Sequence, residues 1–362
     1  MQKITLRHSR NLKKRECTIF VGNQTLEKIA SLINLNKYSQ IFIITDQNVK
    51  SALLKRVLLN LPANTASIIL PAGEKEKNIE NIQKIWKAML NARCDRKSLV
   101  INLGGGMITD LGGFAASTYM RGIDFLNIPT TLLAQVDASV GGKVGFDFAN
   151  VKNLIGTFDQ PVAVIIDIST LVSLPKREFI SGFAEIIKHG LVTDKKYFDL
   201  TTSKQPLEFT QNEIAEIIFK SIQIKAKIVQ NDETEKGIRK SLNFGHTVGH
   251  AVESLSLESS TPLLHGEAIS IGMIAETIIA HLLKMISVSD LQLIRQSLIN
   301  AGLPVSFTYL KIDKIIQKMQ SDKKNEKGEI NFTLLCGIGK TAINQNVPDA
   351  LVIQALKQIT KP

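Results

Sequence analysis

The amino-acid sequence predicts an α/β protein: a doubly wound parallel-sheet domain followed by a mostly α-helical domain. In the first half, short buried apolar runs alternate with amphipathic segments, as in a parallel sheet covered by helices on both faces. After Leu174-Pro175 the apolar residues recur with a helical period almost to residue 302. A chain of 362 residues also exceeds the usual size of one core. We therefore predict two domains, residues 1–175 and 176–362.

Each predicted strand of the first domain is an apolar run bounded by polar or turn-forming residues. These strands are Ile41–Thr45, Ala66–Leu70, Ser98–Leu103, Phe125–Ile128 and Ala163–Ile166. Between them, helices are predicted from about Val49 to Asn60 and over Asn78–Ala92. The second domain is predicted to contain helices over Phe183–Leu191, Ile214–Val229, Thr247–Leu255 and Glu267–Met285, a strand-like stretch over Glu329–Leu335, and a final helix from about Pro348. In such folds ligands often bind at the carboxyl ends of the strands and between domains, where we expect the site.

Composition and charge exclude several classes of protein. The chain is 44% hydrophobic and 21% charged, has no apolar run of membrane-spanning length, and begins with a basic segment that lacks the apolar core of a signal peptide. Cys17, Cys94 and Cys336 are isolated, which fits a reducing cytosol, so we expect a cytoplasmic protein with no membrane partner. The net charge of +11 comes from scattered lysines, and aromatic residues are sparse. A generally basic surface explains this charge most simply, steering of an anionic substrate comes second, and we expect no nucleic-acid partner.

A glycine-rich turn follows the strand that ends at Leu103. Gly104, Gly105 and Gly106 allow the backbone to approach a ligand closely, and Asp110 is predicted to cap the next helix, whose N-terminus would face a pyrophosphate. The spacing departs from the G-x-G-x-x-G dinucleotide motif, so a tight turn without a ligand is an equal alternative. Asp46, at the end of an earlier strand, is expected either to bind an adenosine ribose or to be a polar strand end.

A histidine cluster in the second domain indicates a metal site. His246 and His250 are four residues apart, which places both on one helix face, and His265 follows within twenty residues. Thr247 stands where the zinc-protease motif H-E-x-x-H has its glutamate, so a metalloprotease is disfavoured. Taken singly, each histidine is more often a packing residue. Together with Glu185 they suit a catalytic zinc or cobalt site that keeps an open coordination position.

Cations interleaved with glycines indicate an anionic substrate. Lysines beside glycines can reach a phosphate, and Arg239 has the planar guanidinium that suits a carboxylate. Any one of these cations, taken alone, is expected to be a surface residue. The set includes Lys143, Lys152, Lys188, Lys225 and Arg239 together with Asn153 and Asn243.

From Phe42 to Lys340 the chain resembles the 3-dehydroquinate synthase family of sugar-phosphate cyclases. The resemblance is carried by GGGMITDLGGFAASTYMRGI, IPTTLLAQVDASVGGKVG, KNLIGTFDQP, LPKREFISGFAEIIKHG, LNFGHTVGHAVE and LLHGEAISIGM. It implies an NAD- and metal-dependent lyase that converts 3-deoxy-D-arabino-heptulosonate 7-phosphate to 3-dehydroquinate and phosphate, a step of the shikimate pathway to chorismate and the aromatic amino acids. NAD would be reduced and then reoxidised within each turnover. The first domain would bind NAD, and the second would bind one Zn²⁺ or Co²⁺ and the phosphorylated carboxylate substrate.

The resemblance also implies roles for individual residues. The metal ligands would be Glu185, His246 and His265. The catalytic residues would be His250, Lys143, Asp137, Lys188, Lys225 and Glu235. The substrate would be bound by Arg121 from a neighbouring subunit of a homodimer, and by Lys152, Asn153, Arg239, Asn243 and Lys323 or Lys324. NAD would be bound by Asp46, Glu74, Lys77, Gly105, Gly106, Met107, Ile108, Thr109, Asp110, Thr130, Thr131, Lys143, Lys152, Thr170, Leu171, Val172 and Ser173.

Two departures from the family pattern and four rival functions accompany this assignment. Thr109 stands at a position that is often glycine, and the segment between His250 and His265 is slightly long. The nearest rival is another sugar-phosphate cyclase such as 2-deoxy-scyllo-inosose synthase, whose substrate has no carboxylate. Arg239 and Asn243 favour a carboxylate-bearing substrate instead. The remaining rivals are a metal-dependent polyol dehydrogenase, a non-catalytic binding protein and a nucleic-acid binder.

Overall fold

The computed structural model describes residues 1–7, 16–149, 151–257, 259–308, 310–320 and 330–360. Contacts divide the chain into a first unit, Met1–Pro175 with Gln211–Ala226, and a second unit, Lys176–Thr210 with Lys227–Pro362. The main division falls between Pro175 and Lys176. Residues 211–226, which we predicted in the second domain, group with the first unit.

The first unit is built on a predominantly parallel sheet, which confirms the predicted fold class. Its strands are β1 (Gln2–Arg7), β2 (Glu16–Gly22), β3 (Ile41–Asp46), β4 (Ala66–Leu70), β5 (Leu99–Gly104), β6 (Asp124–Pro129) and β9 (Ala163–Asp167). Among the described residues their order is β1-β2-β9-β6-β5-β3-β4, with β1 antiparallel to β2 and the remaining pairs parallel. The chain moves outward from β3 to β4 and then returns past β3 to β5. The carboxyl ends of β3 and β5 therefore flank a topological switch point, where such sheets bind ligands.

The strands β3, β5 and β9 are buried on both faces of the sheet. Along β3, Phe42 and Ile44 pack in one core with Ile82 and Ile85, whereas Ile41 and Ile43 pack in a second core with Leu26 and Val57. Strands covered on both sides bury every residue, which explains why continuous apolar runs rather than alternation predicted them. The covering helices are α1 (Ile29–Leu32), α2 (Gln47–Val49), α3 (Lys55–Leu58), α4 (Ile79–Asn91) and α5 (Gly106–Thr118). A π-helical turn over Lys50–Leu54 joins α2 to α3, so the predicted helix from Val49 is present but irregular.

A β-hairpin in the first unit was not predicted. Strand β7 (Lys143–Phe148) pairs antiparallel with β8 (Val151–Phe158), and glycines of the two strands lie opposite each other at Gly145 and Gly156. A Cβ on Gly145 would lie 2.5 Å from the carbonyl oxygen of Ile155, so glycine is required for this close pairing. Most of β8 is exposed, and its sequence therefore lacks the apolar run that indicated the other strands.

The second unit is mostly helical, as predicted. Its helices are α6 (Lys176–Thr193), α7 (Lys195–Thr201), the end of α8 (Gln211–Asn231), α9 (His246–Ser256), α10 (His265–Leu282), α11 (Val288–Asn300), α12 (Ile312–Gln320) and α13 (Asp349–Ile359). A two-stranded antiparallel sheet, β10 (Asn331–Gly337) with β11 (Lys340–Asn346), completes it. The predicted strand at 329–335 corresponds to β10, and β11 was not predicted. Across the described residues we find no helix with both the length and the apolar character to span a membrane.

Candidate metal centre and cofactor-binding turn

The glycine-rich turn lies at the switch point of the sheet. Gly104 ends β5, and Gly105 is the N-cap of α5, so the turn leads directly into a helix N-terminus. A Cβ on Gly105 would lie 3.0 Å from Thr131 Cγ2, and one on Gly106 would lie 3.3 Å from the Cβ of Ala138. Side chains here would therefore crowd the neighbouring loop, whereas glycines leave the first amides of α5 accessible to a ligand.

The structure locates the two aspartates that the sequence analysis associated with NAD binding. Asp110 is an interior residue of α5 rather than its cap, so the predicted capping role is wrong. Asp46 ends β3 and caps α2, because its Oδ1 accepts hydrogen bonds from the backbone amides of Asn48 and Val49 at 2.8 and 3.0 Å. Burial raises the pKa of Asp46, although the hydrogen bonds from these two backbone amides lower it.

Lys77 is the centre of a buried polar cluster in the first unit. Its ammonium donates to Asp110 Oδ2 at 2.6 Å and to Asn153 Oδ1 at 2.5 Å, and the side chain is only 4% exposed. Glu74 Oε1 lies 3.8 Å from both Lys77 Nζ and Lys152 Nζ. Burial lowers the pKa of Lys77, but the carboxylates around it outweigh burial and raise its pKa well above the ordinary range. Lys77 is therefore charged throughout the physiological range.

A residue that the sequence analysis missed joins this cluster to the hairpin. Asp147 Oδ1 accepts the backbone amide of Asn153 at 2.7 Å, and the amide of Asp147 donates to the carbonyl of Lys77 at 2.8 Å. Asn153 has φ +50°, in the left-handed region that asparagine tolerates better than most residues. The predicted substrate residue Asn153 and the predicted NAD residue Lys77 are thus held in one network.

Asp137 and Lys225 form a second polar pair in the first unit. Lys225 Nζ donates to both the carbonyl oxygen and Oδ1 of Asp137, each at 2.6 Å. Asp137 lies on a π-helical turn, Ala134–Ala138, a rare conformation that occurs often at functional sites. The structure therefore brings two predicted catalytic residues together.

The predicted metal-ligating side chains converge in the second unit. One ligand atom from each of Glu185, His246 and His265 lies within 4.8 Å of the others. Glu185 Oε1 is 3.6 Å from His246 Nε2 and 3.7 Å from His265 Nε2. Glu185 is fully buried on α6, whereas the histidines are the first residues of α9 and α10. His250, one turn after His246, has its ring centroid 5.0 Å from that of His246 and 5.9 Å from that of His265.

Each of the two histidines predicted as metal ligands has an acceptor near its Nδ1 atom. His246 Nδ1 is 3.1 Å from the carbonyl oxygen of Phe244, and His265 Nδ1 is 3.4 Å from Glu253 Oε2. Burial lowers the pKa of His265, but the carboxylates of Glu253 and Glu185 outweigh it and raise the pKa to about 9. The sequence analysis did not single out Glu253. Its position seven residues after His246, on the same helix face, was a usable signal.

Close packing of α9 against α10 brings the histidines together. A Cβ on Gly272 would lie 1.9 Å from the carbonyl oxygen of Gly245 and 2.6 Å from the amide of Gly249. The buried carboxylate of Glu276 accepts hydrogen bonds from the amides of Gly245 at 2.6 Å and Val248 at 3.2 Å. Glu276 on α10 therefore caps the N-terminus of α9, where His246 is located.

Further predicted residues lie in the second unit, and one of them, Lys188, contacts the predicted ligand Glu185. Lys188, 1% exposed, places Nζ 2.5 Å from Glu185 Oε2 and donates to the carbonyl of Leu242 at 2.7 Å. Asn243 Nδ2 donates to Glu235 Oε1 at 2.6 Å. Arg239 is 3% exposed, and its Nη1 donates to the carbonyl of Glu233 at 2.5 Å.

The remaining predicted residues are distributed along the first unit or lie outside the described residues. Met107, Ile108 and Thr109 are buried in α5, Thr130 and Thr131 follow β6, and residues 170–173 lie in a 3₁₀ helix. Lys143 begins β7 and Lys152 lies on β8. Arg121 is exposed, with φ +68°. Lys323 and Lys324 lie outside the described residues.

Two family models match the chain. The 3-dehydroquinate synthase N-terminal model matches residues 67–181, and the 3-dehydroquinate synthase C-terminal model matches residues 182–325. The curated 3-dehydroquinate synthase of Prochlorococcus marinus strain MIT 9211 is 43% identical and covers 90% of each chain. That of Prochlorococcus marinus strain SARG is 40% identical over 96% of this chain and 97% of its own.

Solved structures of sugar-phosphate cyclases share the fold. The 2-epi-5-epi-valiolone synthase of Streptomyces hygroscopicus subsp. jinggangensis 5008, with NAD⁺ and Zn²⁺ bound, has a TM-score of 0.87 at 26% identity and covers 97% of this chain and 99% of its own. A 2-deoxy-scyllo-inosose synthase complexed with carbaglucose-6-phosphate, NAD⁺ and Co²⁺ has the same TM-score at 24% identity, over 99% of this chain and 100% of its own. The second of these supports the fold alone.

Proposed function

Because the chain belongs to the 3-dehydroquinate synthase family, we propose that it converts 3-deoxy-D-arabino-heptulosonate 7-phosphate to 3-dehydroquinate and phosphate. The observation that carries the proposal is the grouping of Glu185, His246 and His265 in a chain with this family membership. NAD, when bound, supplies a hydride acceptor that returns the hydride later, and the divalent ion polarises a substrate hydroxyl. The net reaction is therefore the loss of phosphate without net oxidation.

The donor set fits a divalent transition metal. Two imidazole nitrogens and one carboxylate oxygen are the ligands that Zn²⁺ and Co²⁺ accept, and three protein ligands leave a position for substrate. Glu185 Oε1 faces both imidazoles, whereas Oε2 faces Lys188, so Oε1 is the oxygen that would bind the ion. We propose Glu185, His246 and His265 as the ligands, and Zn²⁺ or Co²⁺ as the metal.

The turn after β5 fits the pyrophosphate of NAD. Gly106, the third glycine of the turn at the sheet's switch point, is the first residue of α5, and a helix N-terminus attracts a phosphate group. Asp110 and Glu74 are held by Lys77, which fixes acceptors near this turn. We propose that these residues bind NAD together with Asp46 and the other cofactor residues predicted above.

The chain's own cations and His250 would perform the remaining steps. Lys152, on the hairpin, would bind the phosphate, with Lys143 at its base. Lys225 holds the carboxylate of Asp137, so that oxygen has a fixed position from which to orient a substrate hydroxyl. His250 would donate or accept a proton at a ring nitrogen during phosphate elimination.

Arg239 distinguishes the proposed substrate from that of the nearest rival. Arg239 is a buried guanidinium whose planar set of five N–H donors suits a carboxylate in addition to its contact with the carbonyl of Glu233. A 2-deoxy-scyllo-inosose synthase acts on a substrate without that carboxylate. We therefore expect the heptulosonate phosphate to be turned over in preference to glucose 6-phosphate, measured as phosphate release at equal concentrations. Preference for glucose 6-phosphate would reassign the chain to that rival.

We also propose a cytoplasmic homodimer in which Arg121 reaches the substrate of the neighbouring subunit. Exposure of Arg121 supports this proposal, because the side chain is accessible at this position. Mixing inactive Arg121→Ala subunits with inactive His246→Ala subunits should restore partial activity, because one of the two sites would then be intact. Absence of any restoration in a mixed dimer would refute the shared site.

The direct test is a phosphate-release assay with the heptulosonate phosphate. We expect release that requires NAD and metal, stops in excess chelator, returns on addition of Zn²⁺ or Co²⁺, and proceeds without accumulation of NADH. Net NADH accumulation would indicate a polyol dehydrogenase instead. Full activity in excess chelator would refute the metal requirement.

A further inference from the structure

Glu253 is a buried carboxylate on the helix that carries His246 and His250. It is 4% exposed, and its Oε2 lies 3.4 Å from His265 Nδ1. On the opposite side of the same ring, His265 Nε2 lies 3.7 Å from Glu185 Oε1. His265 is thus the imidazole that two carboxylates approach, one at each nitrogen.

An imidazole can present a lone pair to a metal through only one nitrogen when its other nitrogen carries the proton. A carboxylate accepts that proton's hydrogen bond more strongly than a neutral carbonyl does, and it fixes both the tautomer and the ring orientation. His246 has the carbonyl of Phe244 in this position, whereas His265 has Glu253. The two histidines are consequently oriented by acceptors of different charge.

We propose that Glu253 is a positioning residue that holds the Nδ1–H tautomer of His265 and directs Nε2 toward the metal. The inference rests on the proposed metal site of Glu185, His246 and His265. Glu253 touches neither the ion nor the substrate, and it acts through the ring of His265. Its negative charge also increases the electron density on the imidazole and thereby strengthens the metal bond.

A direct ligand role is the competing explanation. Glu253, His250 and His265 also offer ligand atoms within 4.8 Å of one another. The contact to Nδ1 favours positioning, because it places the carboxylate on the side of the ring away from Glu185. The two roles predict different results, since a metal bound directly by Glu253, His250 and His265 would still bind when His246 is substituted.

The experiment measures Co²⁺ affinity by competition with a chromophoric chelator, together with the visible absorption spectrum of bound Co²⁺. Glu253→Leu removes both acceptor and charge, and we expect its affinity to fall about 10- to 100-fold, as for other partners of metal-bound histidines. Glu253→Gln keeps an acceptor oxygen, so its loss should be smaller, with a shifted Co²⁺ spectrum. Glu208→Gln is the matched control, because Glu208 is an exposed carboxylate of the second unit that accepts the amide of Gln205 at 2.9 Å. We expect this control to leave affinity and spectrum unchanged.

The outcomes separate this inference from the proposed function. Folded Glu253→Leu and Glu253→Gln proteins with unaltered affinity and spectrum would overturn the positioning role while leaving the metal site intact. Loss of metal in the Glu253 variants, with retention in His246→Ala, would overturn it in favour of direct ligation. If the unsubstituted protein binds no Co²⁺, the proposed metal-dependent function is contradicted, and the positioning role of Glu253 is overturned with it.

Should Glu253→Leu fail to fold, a measurement on the unsubstituted protein tests the same point. With ¹⁵N-labelled histidine and bound Zn²⁺, His265 should show a protonated Nδ1 and a metal-bound Nε2. The opposite assignment would overturn the inference.

Discussion

The contact between α9 and α10 makes Gly272→Ala a sharp test of how the metal site is assembled. A Cβ at this position would lie 1.9 Å from the carbonyl oxygen of Gly245, and contacts under 3.0 Å essentially do not occur. The helices must therefore move apart by about 1 Å to admit the methyl group. Metal–ligand distances tolerate only about 0.2 Å, so the displacement is several times larger than the site can absorb.

We expect two measurable effects from this substitution. Overpacking of a close helix contact costs about 1–3 kcal/mol, which denaturant unfolding of the metal-free protein would measure. Metal affinity should fall as well, because His246 and His265 begin the two helices that separate. Ser270→Ala is the matched control on α10, since the Oγ of Ser270 is buried and has no hydrogen-bond partner among the described residues. Its removal should leave stability unchanged or slightly higher.

The reasoning would be refuted by a Gly272→Ala protein that unfolds at the same denaturant concentration as the unsubstituted protein and binds metal equally well. A loss of stability with unchanged metal affinity would show that the strain is relieved away from the histidines. Comparison with Ser270→Ala separates both outcomes from a general effect of substitution in a buried helix.

Three other substitutions test buried charges and thiols. Glu276→Leu removes the carboxylate that caps α9 at Gly245, and it should cost at least about 1.5 kcal/mol in unfolding free energy and weaken metal binding. Lys77→Met leaves Asp110 without its buried partner, so we expect a loss of roughly 3–5 kcal/mol at neutral pH. Since burial raises the pKa of Asp110, this deficit should narrow as the pH falls and the carboxyl becomes protonated; a constant deficit would contradict the explanation. Burial raises the pKa of Cys17 to about 12, so the folded state loses stability as the pH rises above about 9, where the unfolded thiol ionises first. Cys17→Ala should remove that part of the alkaline slope in equilibrium unfolding, and an unchanged slope would exclude this thiol as its source.

Apolar runs predicted β3, β4, β5, β6 and β9, but they did not predict β1, β2, β7, β8 or β11. Strand β3 was evident because its residues are all buried. Strand β8 was not, because Leu154 and Ile155 are exposed and its pairing depends on glycines opposite one another. The predicted capping role of Asp110 was wrong because the start of α5 was placed too late in the sequence. The N-cap of α5 is Gly105, five residues before Asp110, and a glycine has no side chain whose capping preference could be read from the sequence.

The histidines of the candidate metal site drew attention because they are close together in sequence, whereas the choice of Glu185, His246 and His265 as ligands came from the family resemblance. Their tertiary surroundings were not predictable from spacing alone. Glu276 reaches the start of α9 from another helix, and the contact at Gly272 depends on helix packing across the second unit. The family resemblance identified the candidate ligands, whereas the hydrogen-bond acceptors around them are known only from the three-dimensional structure.

His246 and His265, the histidines proposed as metal ligands, are each the first residue of a helix, and this location has an electrostatic consequence. A helix N-terminus carries about half a positive charge, so two of them together would attract an anion and repel a divalent cation. Glu276 lies against the start of α9, and Glu267 accepts the amide of Leu264 at the start of α10. These two carboxylates lie outside the proposed ligand set and offset the positive ends of the two helix dipoles. We therefore expect the preference of the proposed site for a cation over free phosphate to depend partly on these acidic residues, and neutralising both should shift its selectivity toward anions.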